Sequence, residues 1–265
     1  MRSPGASFDL RAAMTQELSA ALEELDAEGG PKALHRCRVR LKRARALARV
    51  GKVVAPGLAS VFNESARSVM RTLAQVHDLS ALADTARLIA ETAEDKNAEA
   101  LVSCADALDA AREALPALDI QSVRVGIKDL MALAQVWPEP SARQIRAGAR
   151  RIAKRARRSR RRTRGTDELA MRHKWRKREK DRFFAAVLMD EAWPGRRRRK
   201  QGETLGHLLG LERDALLLIE RLGAEPRLAG NASSATRARS ALRKYCSRLR
   251  KRADKLGDRL HADRV

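Results

Sequence analysis

The sequence is poor in aromatic residues and in cysteine, and each shortage excludes a class of protein. Aromatic residues make up 3% of the 265 positions, which disfavours proteins that stack nucleic-acid bases on aromatic side chains. The three cysteines lie far apart and form no C-x-x-C pair, so they are typical of reduced thiols in a cytoplasmic protein. The longest apolar run, 183–189, is much shorter than the ~18 residues of a membrane span. We therefore expect no membrane association.

Basic charge is what the sequence has in excess. It contains 56 Lys+Arg against 33 Asp+Glu, a formal net charge of +23. Residues 1–137 hold 18 of each sign, so the whole excess lies in residues 138–265. Within the balanced half, residues 31–55 carry nine basic side chains and no acidic one. Such an excess opposes compaction by self-repulsion and predicts a polyanionic partner.

Apolar residues recur at spacings of three and four along nearly the whole chain, which is the period of an α-helix. The fold class is therefore predicted to be all-α, and 44% hydrophobic residues suffice for a core. Helices are expected at about 10–25, 34–54, 58–76, 79–89, 97–114, 120–136, 145–164, 167–193, 197–209, 211–222 and 232–260. The breaker 137–140, which holds two prolines, divides the chain into halves 1–137 and 138–265.

A short basic motif occurs twice and indicates an internal duplication. The first copy reads His35-x-x-Arg38-x-Arg40-x-Lys42 and the second reads His173-x-x-Arg176-x-Arg178-x-Lys180. Each copy lies near the start of a long predicted helix. The economical interpretation is one helical bundle present twice.

On a helix, the spacing of each motif places its basic side chains on the same face. At 100° per residue, the first copy and its continuation place five side chains within an arc of about 80°: His35, Arg38, Lys42, Arg45 and Arg49. A second basic face of the same helix holds Arg36, Arg40 and Arg43. In the second copy His173, Arg176 and Lys180 repeat the first face, while Phe183 stands where an arginine is expected. The arginine-rich helix that ends near 164 adds a row of Arg143, Arg146, Arg150, Lys154 and Arg157 along one side.

These residues resemble a known family, the CHAD domain, or conserved histidine α-helical domain. The duplicated His-x-x-Arg-x-Arg-x-Lys pattern carries the resemblance, and His77-Asp78-Leu79 is similar to the family's Asp-Leu helix junction. The resemblance covers roughly residues 9–260. It implies two pseudo-symmetric helical bundles around a basic cleft that binds inorganic polyphosphate, often at polyphosphate granules. The sequence departs from the family pattern at Phe183 and at Leu209-Gly210, where a second His-Asp pair would stand.

Polyphosphate has many anionic oxygens and no bases, so its receptor needs many cations and no base-reading groups. Guanidinium groups donate to two phosphate oxygens at once and remain charged. We predict a non-catalytic polyphosphate-binding protein with no cofactor and no metal. Its candidate binding residues are His35, Arg36, Arg38, Arg40, Lys42, Arg45, Arg49, Arg146, Arg150, Lys154, Arg157, His173, Arg176, Lys177, Arg178 and Lys180.

Other interpretations remain open from the sequence alone. The same charge suits a protein that binds nucleic acid nonspecifically. The two motif histidines are alternatively helix-packing residues, and the basic row over 145–164 is alternatively a solvated face. His77-Asp78 is also similar to the metal-binding pair of helical phosphohydrolases. That interpretation requires further metal ligands, and the sequence shows none at a recognisable spacing. The sequence does not give the oligomeric state.

Overall fold

All the regular secondary structure is helical over the residues that the computed structural model describes, which are 8–26, 30–166 and 168–262. The all-α prediction is confirmed. Two short 3-10 turns, Asp190–Ala192 and Pro226–Ala229, join longer elements. The α-helices in these ranges are α1 (Leu10–Asp26), α2 (Gly30–Gly51), α3 (Pro56–Thr72), α4 (Ala74–Ala90), α5 (Asp95–Glu113), α6 (Ile120–Gln135), α7 (Ala142–Thr163), α8 (Leu169–Met189), α9 (Arg199–Ala224) and α10 (Ala232–His261).

Local sequence signals determine where several helices begin. The predicted breaker 137–140 is followed by a capping box at the start of α7. There the Ser141 hydroxyl accepts a hydrogen bond from the Gln144 backbone N–H at 3.3 Å, and Gln144 Oε1 accepts one from the Ser141 N–H at 2.8 Å. Asp119 caps α6 by accepting from the Ser122 N–H at 3.0 Å. Pro56 occupies the first turn of α3, where its missing N–H costs nothing.

The chain forms two compact units, and each is assembled from separated segments. Unit 1 takes α1–α3, α6–α8, the start of α9 up to Glu203 and the end of α10 from Leu260. Unit 2 takes α4, α5 and the remainder of α9 and α10. The sequence boundary at 137–140 separates two halves of the chain, whereas each unit contains segments from both halves.

The core of unit 1 is built from the predicted apolar stripes. Leu18 of α1, Leu41 of α2 and Phe62 of α3 are fully buried. The Phe62 and Trp137 rings meet edge to face with their centroids 6.0 Å apart. Gly148 permits α7 to approach α2, since a Cβ at this position would lie 2.2 Å from the backbone oxygen of Val50. This close approach brings the basic residues of α7 near those of α2.

Unit 2 has a smaller core made mostly of leucine and alanine. Leu82 of α4 and Leu101 of α5 pack with Leu218 of α9 and Leu242 of α10. Cys246 packs in the same core. The unit buries its apolar stripes by helix-on-helix packing, as the sequence periodicity predicts.

Several predicted boundaries are wrong. The third predicted helix extends to 76 and the fourth begins at 79, whereas α3 ends at Thr72 and α4 begins at Ala74. The sequence prediction ended one helix at 209 and began another at 211, but α9 is continuous from Arg199 to Ala224. A single glycine, Gly210, lowers helix propensity without breaking a helix, and no proline follows it. The second predicted helix was extended to about 54, whereas α2 ends at Gly51.

The buried face of α8, which the sequence did not identify, carries charged residues. Trp175, Glu179, Arg182 and Ala186 follow one another at helical spacing and are all buried. A conventional apolar stripe is absent here because the buried charges pair with each other. This face forms part of the candidate site.

Candidate anion-binding site

Helix α7 buries one face and presents basic residues on both sides of it. Its buried residues include Ile145, Ala149, Ile152 and Ala156, which recur at spacings of three and four. At 100° per residue, one side of this edge holds Arg150, Lys154 and Arg157, and the other side holds Arg151 and Arg155. Each side lines a different cavity, so α7 connects two basic regions of unit 1.

The larger cavity, which we call the basic cavity, has a volume of about 1110 Å³. This is slightly above the range of about 300–1,000 Å³ that is usual for ligand pockets. Residues of α7, α8, the 193–198 segment and the end of α10 line it, and those described include no carboxylate. Trp193 belongs to its wall but is only 6% exposed, so it offers little ring surface for a base to stack on. The basic residues that line the cavity are Arg150, Lys154, Arg157, Arg182, Arg196, Arg198 and His261.

The second region, the Asp181 cluster, lies where α2, α7 and α8 pack together. The Asp181 carboxylate accepts from Arg49 Nη1 of α2 at 2.9 Å and from Arg178 Nη1 of α8 at 3.4 Å. It thereby joins α2 and α8, the helices that carry the two copies of the duplicated motif. The hollow has a volume of about 20 Å³, room for about one water molecule, and is lined by Arg49, Lys52, Arg151, Ile152, Arg155, Arg178 and Asp181.

Several arginines around this cluster are held in an unfavourable electrostatic environment. Burial lowers the pKa of Arg45 to about 10, and the charge of Arg49 contributes to the same shift. Burial also lowers the pKa of Arg49, which Asp181 only partly offsets. The pKa of Arg155 is lowered by burial and by the charge of Arg178. Asp181 is the carboxylate that offsets the positive charges of Arg45, Arg49 and Arg155. A bound anion would therefore stabilise the charged forms of these arginines.

The second basic face of α2 is directed towards α1 and is paired there. Arg36 bonds to Glu24, and Arg40 lies 3.3 Å from Glu17. Arg43 lies 3.2 Å from the other oxygen of Glu17. The structure thus places the predicted ligand residues Arg36 and Arg40 in ion pairs that hold α1 against α2. Neither residue belongs to the proposed site.

The first basic face of α2 is divided between structural contacts and the Asp181 cluster. Arg38 is buried, and its Nη1 donates to the Met70 carbonyl at 2.6 Å, in the last turn of α3. A cation at a helix C-terminus interacts favourably with the unpaired carbonyls and the helix dipole. Arg45 contacts Asn63 at 3.4 Å. Within this face Arg49 alone is seen to line one of the two cavities, while His35 is exposed and Lys42 is half-buried.

The predicted residues of α8 are similarly divided. Arg178 belongs to the Asp181 cluster. His173, Arg176 and Lys180 are half-buried, and Lys177 is exposed. Of the described residues that line the two cavities, none is a motif histidine. Arg146 is exposed on α7, one turn before Arg150.

Four basic residues of the cavity were missed by the sequence prediction: Arg182, Arg196, Arg198 and His261. The run 196–200 was visible in the sequence as a basic patch without an assigned role. Arg182 was hidden because it lies outside the motif, one residue before Phe183. Nothing in the sequence relates His261 to α8, since 82 residues separate it from the Glu179 carboxylate that it contacts.

A network of buried polar and charged side chains lies next to the basic cavity, and two of its members, Arg182 and His261, line the cavity. We call this network the floor cluster; it consists of Trp175, Glu179, Arg182 and His261. Glu179 Oε1 accepts from Trp175 Nε1 at 2.9 Å and lies 2.5 Å from His261 Nε2, while Oε2 accepts from Arg182 Nε at 2.9 Å. Burial opposes the charge of Glu179, but the His261 hydrogen bond and the charge of Arg182 outweigh it and lower its pKa to about 2. The carboxylate therefore remains ionised and keeps the Arg182 guanidinium and the His261 ring in place.

The His77-Asp78 pair is a local contact on α4. His77 Nδ1 lies 3.3 Å from the Asp78 carboxylate. Across the described ranges, no three His, Cys, Asp or Glu side chains come together as a metal site requires. No helix in the described part of the chain is long and apolar enough to cross a membrane.

Comparison with known proteins agrees with the architecture. The crystal structure of the CHAD domain from the plant Ricinus communis has the same fold, with a TM-score of 0.69 at 20% sequence identity, over 100% of this chain and 97% of that chain. No curated protein sequence matches the chain. The family model described as CHAD domain matches residues 12–223, which is most of the chain. The protein therefore belongs to the CHAD domain family.

Proposed function

We propose that the protein binds inorganic polyphosphate in the basic cavity and does not catalyse a reaction on it. The observation that carries the proposal is the composition of the cavity wall: six arginine or lysine side chains and one histidine, with no carboxylate among the described residues that line it. A linear polyanion without bases is the ligand that such a wall complements, because it offers phosphate oxygens at high density and nothing to stack.

The Asp181 cluster has a supporting role in this proposal. Its hollow is too small for a phosphate chain, but its closely spaced arginines add to the positive potential on the other side of α7. We therefore assign direct contact to Arg150, Lys154 and Arg157 and long-range attraction to Arg49 and Arg178. By extension, we propose that the protein is cytoplasmic and associates with polyphosphate granules.

A competition experiment at physiological salt tests the ligand. Labelled long-chain polyphosphate is bound to the protein and challenged with single-stranded RNA, duplex DNA and short oligophosphates at equal phosphate concentration. Physiological salt is essential because counterion release makes any basic protein bind tightly when salt is low. We expect polyphosphate to remain bound. Displacement by nucleic acid on a per-phosphate basis would instead identify a nonspecific polyanion binder.

A charge-matched pair of triple variants tests the site. Replacing Arg150, Lys154 and Arg157 with glutamine removes three charges from the cavity. The control replaces exposed Arg243, Lys251 and Arg252 of α10, which removes the same side-chain types from unit 2. At ~1 kcal/mol for each hydrogen bond to phosphate that is removed, the cavity variant should bind polyphosphate about 100-fold more weakly.

The two triple variants also differ in their expected salt dependence. The slope of log affinity against log salt should fall by about 2 in the cavity variant, at ~0.7 for each phosphate that the protein no longer neutralises. The control should keep the wild-type slope. An equal loss of affinity in both variants would show that net charge, rather than the basic cavity, determines binding.

A further inference from the structure

The hollow of the Asp181 cluster is separate from the basic cavity, although both lie in unit 1. Helices α2, α7 and α8 pack against one another around it. Among the described residues, its lining shares no member with the lining of the basic cavity. Its volume of about 20 Å³ suits one water molecule or one small ion and is too small for a phosphate chain. An occupant of this hollow would therefore be a ligand of its own.

The described lining of the hollow has a large excess of positive charge. It contains four arginines and one lysine against the carboxylate of Asp181. These cations come from all three helices and repel one another. Burial, together with the charge of Arg178, lowers the pKa values of both Arg49 and Arg155. A water molecule in the hollow is neutral and would leave this repulsion in place, whereas an anion would reduce it.

Three of the lining arginines are held in place by contacts that each use only part of a guanidinium group. Arg49 Nη1 donates to Asp181 Oδ1 at 2.9 Å, and Arg178 Nη1 donates to Asp181 Oδ2 at 3.4 Å. On α7, Arg151 Nη2 donates to the Arg49 carbonyl at 3.3 Å. A guanidinium has N–H groups on three nitrogens, so a contact at one nitrogen orients the group and leaves others able to donate. The hollow is thus lined by positioned donors from three helices.

The hollow is open to solvent on one side and closed on the other. Lys52 and Arg155 are exposed, whereas Ile152 is buried and forms an apolar wall. A small ion can therefore enter and leave without unfolding of the protein. Partial enclosure also strengthens its attraction to the surrounding cations, because less water separates the charges.

We propose that the hollow of the Asp181 cluster binds one small monovalent anion of the size of chloride. The ion accepts hydrogen bonds from arginines of α2, α7 and α8 and so stabilises the junction of these helices. It is a structural ligand of unit 1. This inference does not depend on the proposed function, since the hollow and the basic cavity have different linings and an ion in the hollow leaves the surrounding cluster positively charged.

Stabilisation by the ion is tested on the wild-type protein in the absence of polyphosphate. Chloride is increased at constant ionic strength by replacing gluconate, which is too large for the hollow, and thermal denaturation of unit 1 is followed by tryptophan fluorescence. The melting temperature should rise and reach a plateau, by about 3–5 °C once chloride exceeds its dissociation constant about tenfold. Bromide should act as chloride does. A rise without a plateau would be a general salt effect and would overturn the proposal.

The location of the site is tested with Arg155→Gln, which removes one cation from the lining. The dissociation constant for chloride, taken from the same titration, should increase about tenfold, because a hydrogen bond from a charged donor is lost. Arg158→Gln is the matched control, since Arg158 is an exposed arginine of α7 outside both linings. It should retain the wild-type constant. Equal changes in both variants would show that net charge, rather than the hollow, determines the effect.

Asp181→Asn should change chloride binding in the opposite direction. The substitution removes the negative charge of the lining, while asparagine keeps an oxygen that can accept from Arg49. Chloride should bind this variant at least about threefold more tightly, because it no longer meets a like charge. A variant that merely loosens the helix junction would not bind the ion more tightly. Weaker or unchanged binding would overturn the argument from charge balance on which the proposal rests.

The ion can also be located directly. Crystals of the full chain grown in bromide should give an anomalous difference peak in the hollow, within hydrogen-bond distance of arginine nitrogens. Bromide peaks elsewhere with none in the hollow would overturn the proposal. A peak in the hollow without saturable stabilisation would identify an adventitious ion only, and would overturn it as well. Failure of the protein to bind polyphosphate would overturn the proposed function and leave this site unaffected.

Discussion

Substitution of Glu179 by glutamine should destabilise unit 1 in a manner that depends on pH. Glu179 has a folded pKa of about 2 against the ordinary 4.5, so its charge stabilises the fold above pH 4.5 and this contribution is lost as the pH falls towards 2. At ~1.4 kcal/mol per pH unit, the difference amounts to about 3 kcal/mol. Glu179→Gln removes that contribution and leaves Arg182 with no anionic partner for its Nε.

Tryptophan fluorescence is the appropriate assay because all three tryptophans, Trp137, Trp175 and Trp193, lie in unit 1. Urea unfolding followed at a series of pH values from 7 to 2.5 should show a deficit of about 3 kcal/mol for Glu179→Gln at pH 7. That deficit should shrink below pH 4.5, where the wild-type protein loses the same stabilisation. At pH 7 the melting temperature should fall by about 6–12 °C.

The control for this experiment is Glu64→Gln, which removes an exposed carboxylate of α3. Glu64 lies 3.6 Å from Arg67, and its side chain is 72% exposed. Surface ion pairs contribute about 0–1 kcal/mol, so this variant should unfold close to wild type at every pH. A wild-type pH profile in Glu179→Gln would refute the argument that the buried carboxylate is held ionised by its partners.

Three further predictions follow from particular contacts. Asp181→Asn should lower stability by about 2 kcal/mol, because Arg49 and Arg178 lose their shared carboxylate, and added polyphosphate should restore part of the melting temperature. Gly148→Ala should cost about 3 kcal/mol in urea unfolding, whereas Gly210→Ala, which meets no atom within 4 Å, should gain up to about 1 kcal/mol. Native protein should resist alkylation at neutral pH until it is unfolded, since burial raises the thiol pKa values to between about 11 and about 12 at Cys104, Cys246 and Cys37.

Much of the fold was accessible from the sequence because its apolar residues keep a helical period. Leu41 and Leu18, for example, recur with other apolar residues at helical spacing and are fully buried. The breaker before Ser141 was equally clear, since proline and a capping box act locally. The continuity of α9 was missed because Gly210 weakens a helix locally, while the leucines on either side of it bury a common face.

The candidate site was predicted less well, because charge patterning does not show which partner a basic residue meets. Arg40 and Arg150 look alike in the sequence, yet one pairs with Glu17 and the other lines the basic cavity. The difference arises because α1 packs on α2 and brings Glu17 to Arg40, which the charge pattern of the sequence does not show. The duplicated motif lies on α2 and α8, and the structure shows that these helices contact each other through Arg49, Asp181 and Arg178.

The duplication gains support from where the chain changes units. It passes from unit 1 to unit 2 after Leu73 and again after Glu203. These two points coincide with the Thr-Leu pairs 72–73 and 204–205 of the sequence. In the first copy a helix ends there, whereas in the second copy α9 runs through. In both copies the chain therefore passes from unit 1 to unit 2 at the same place in the repeat, although the helix boundaries at that place differ.

The interleaving of segments also decides the order in which the protein can be assembled on the ribosome. The helices α1–α3 emerge long before α6–α8 can cover their apolar faces, so early folding intermediates of unit 1 are incomplete. Glu179 meets His261 only when the end of α10 has been translated. Contacts between such distant residues form late and make folding slow. A nascent chain that pauses within α10 would thus hold a Glu179 carboxylate that lacks its His261 partner, exposed to chaperones and proteases until synthesis resumes.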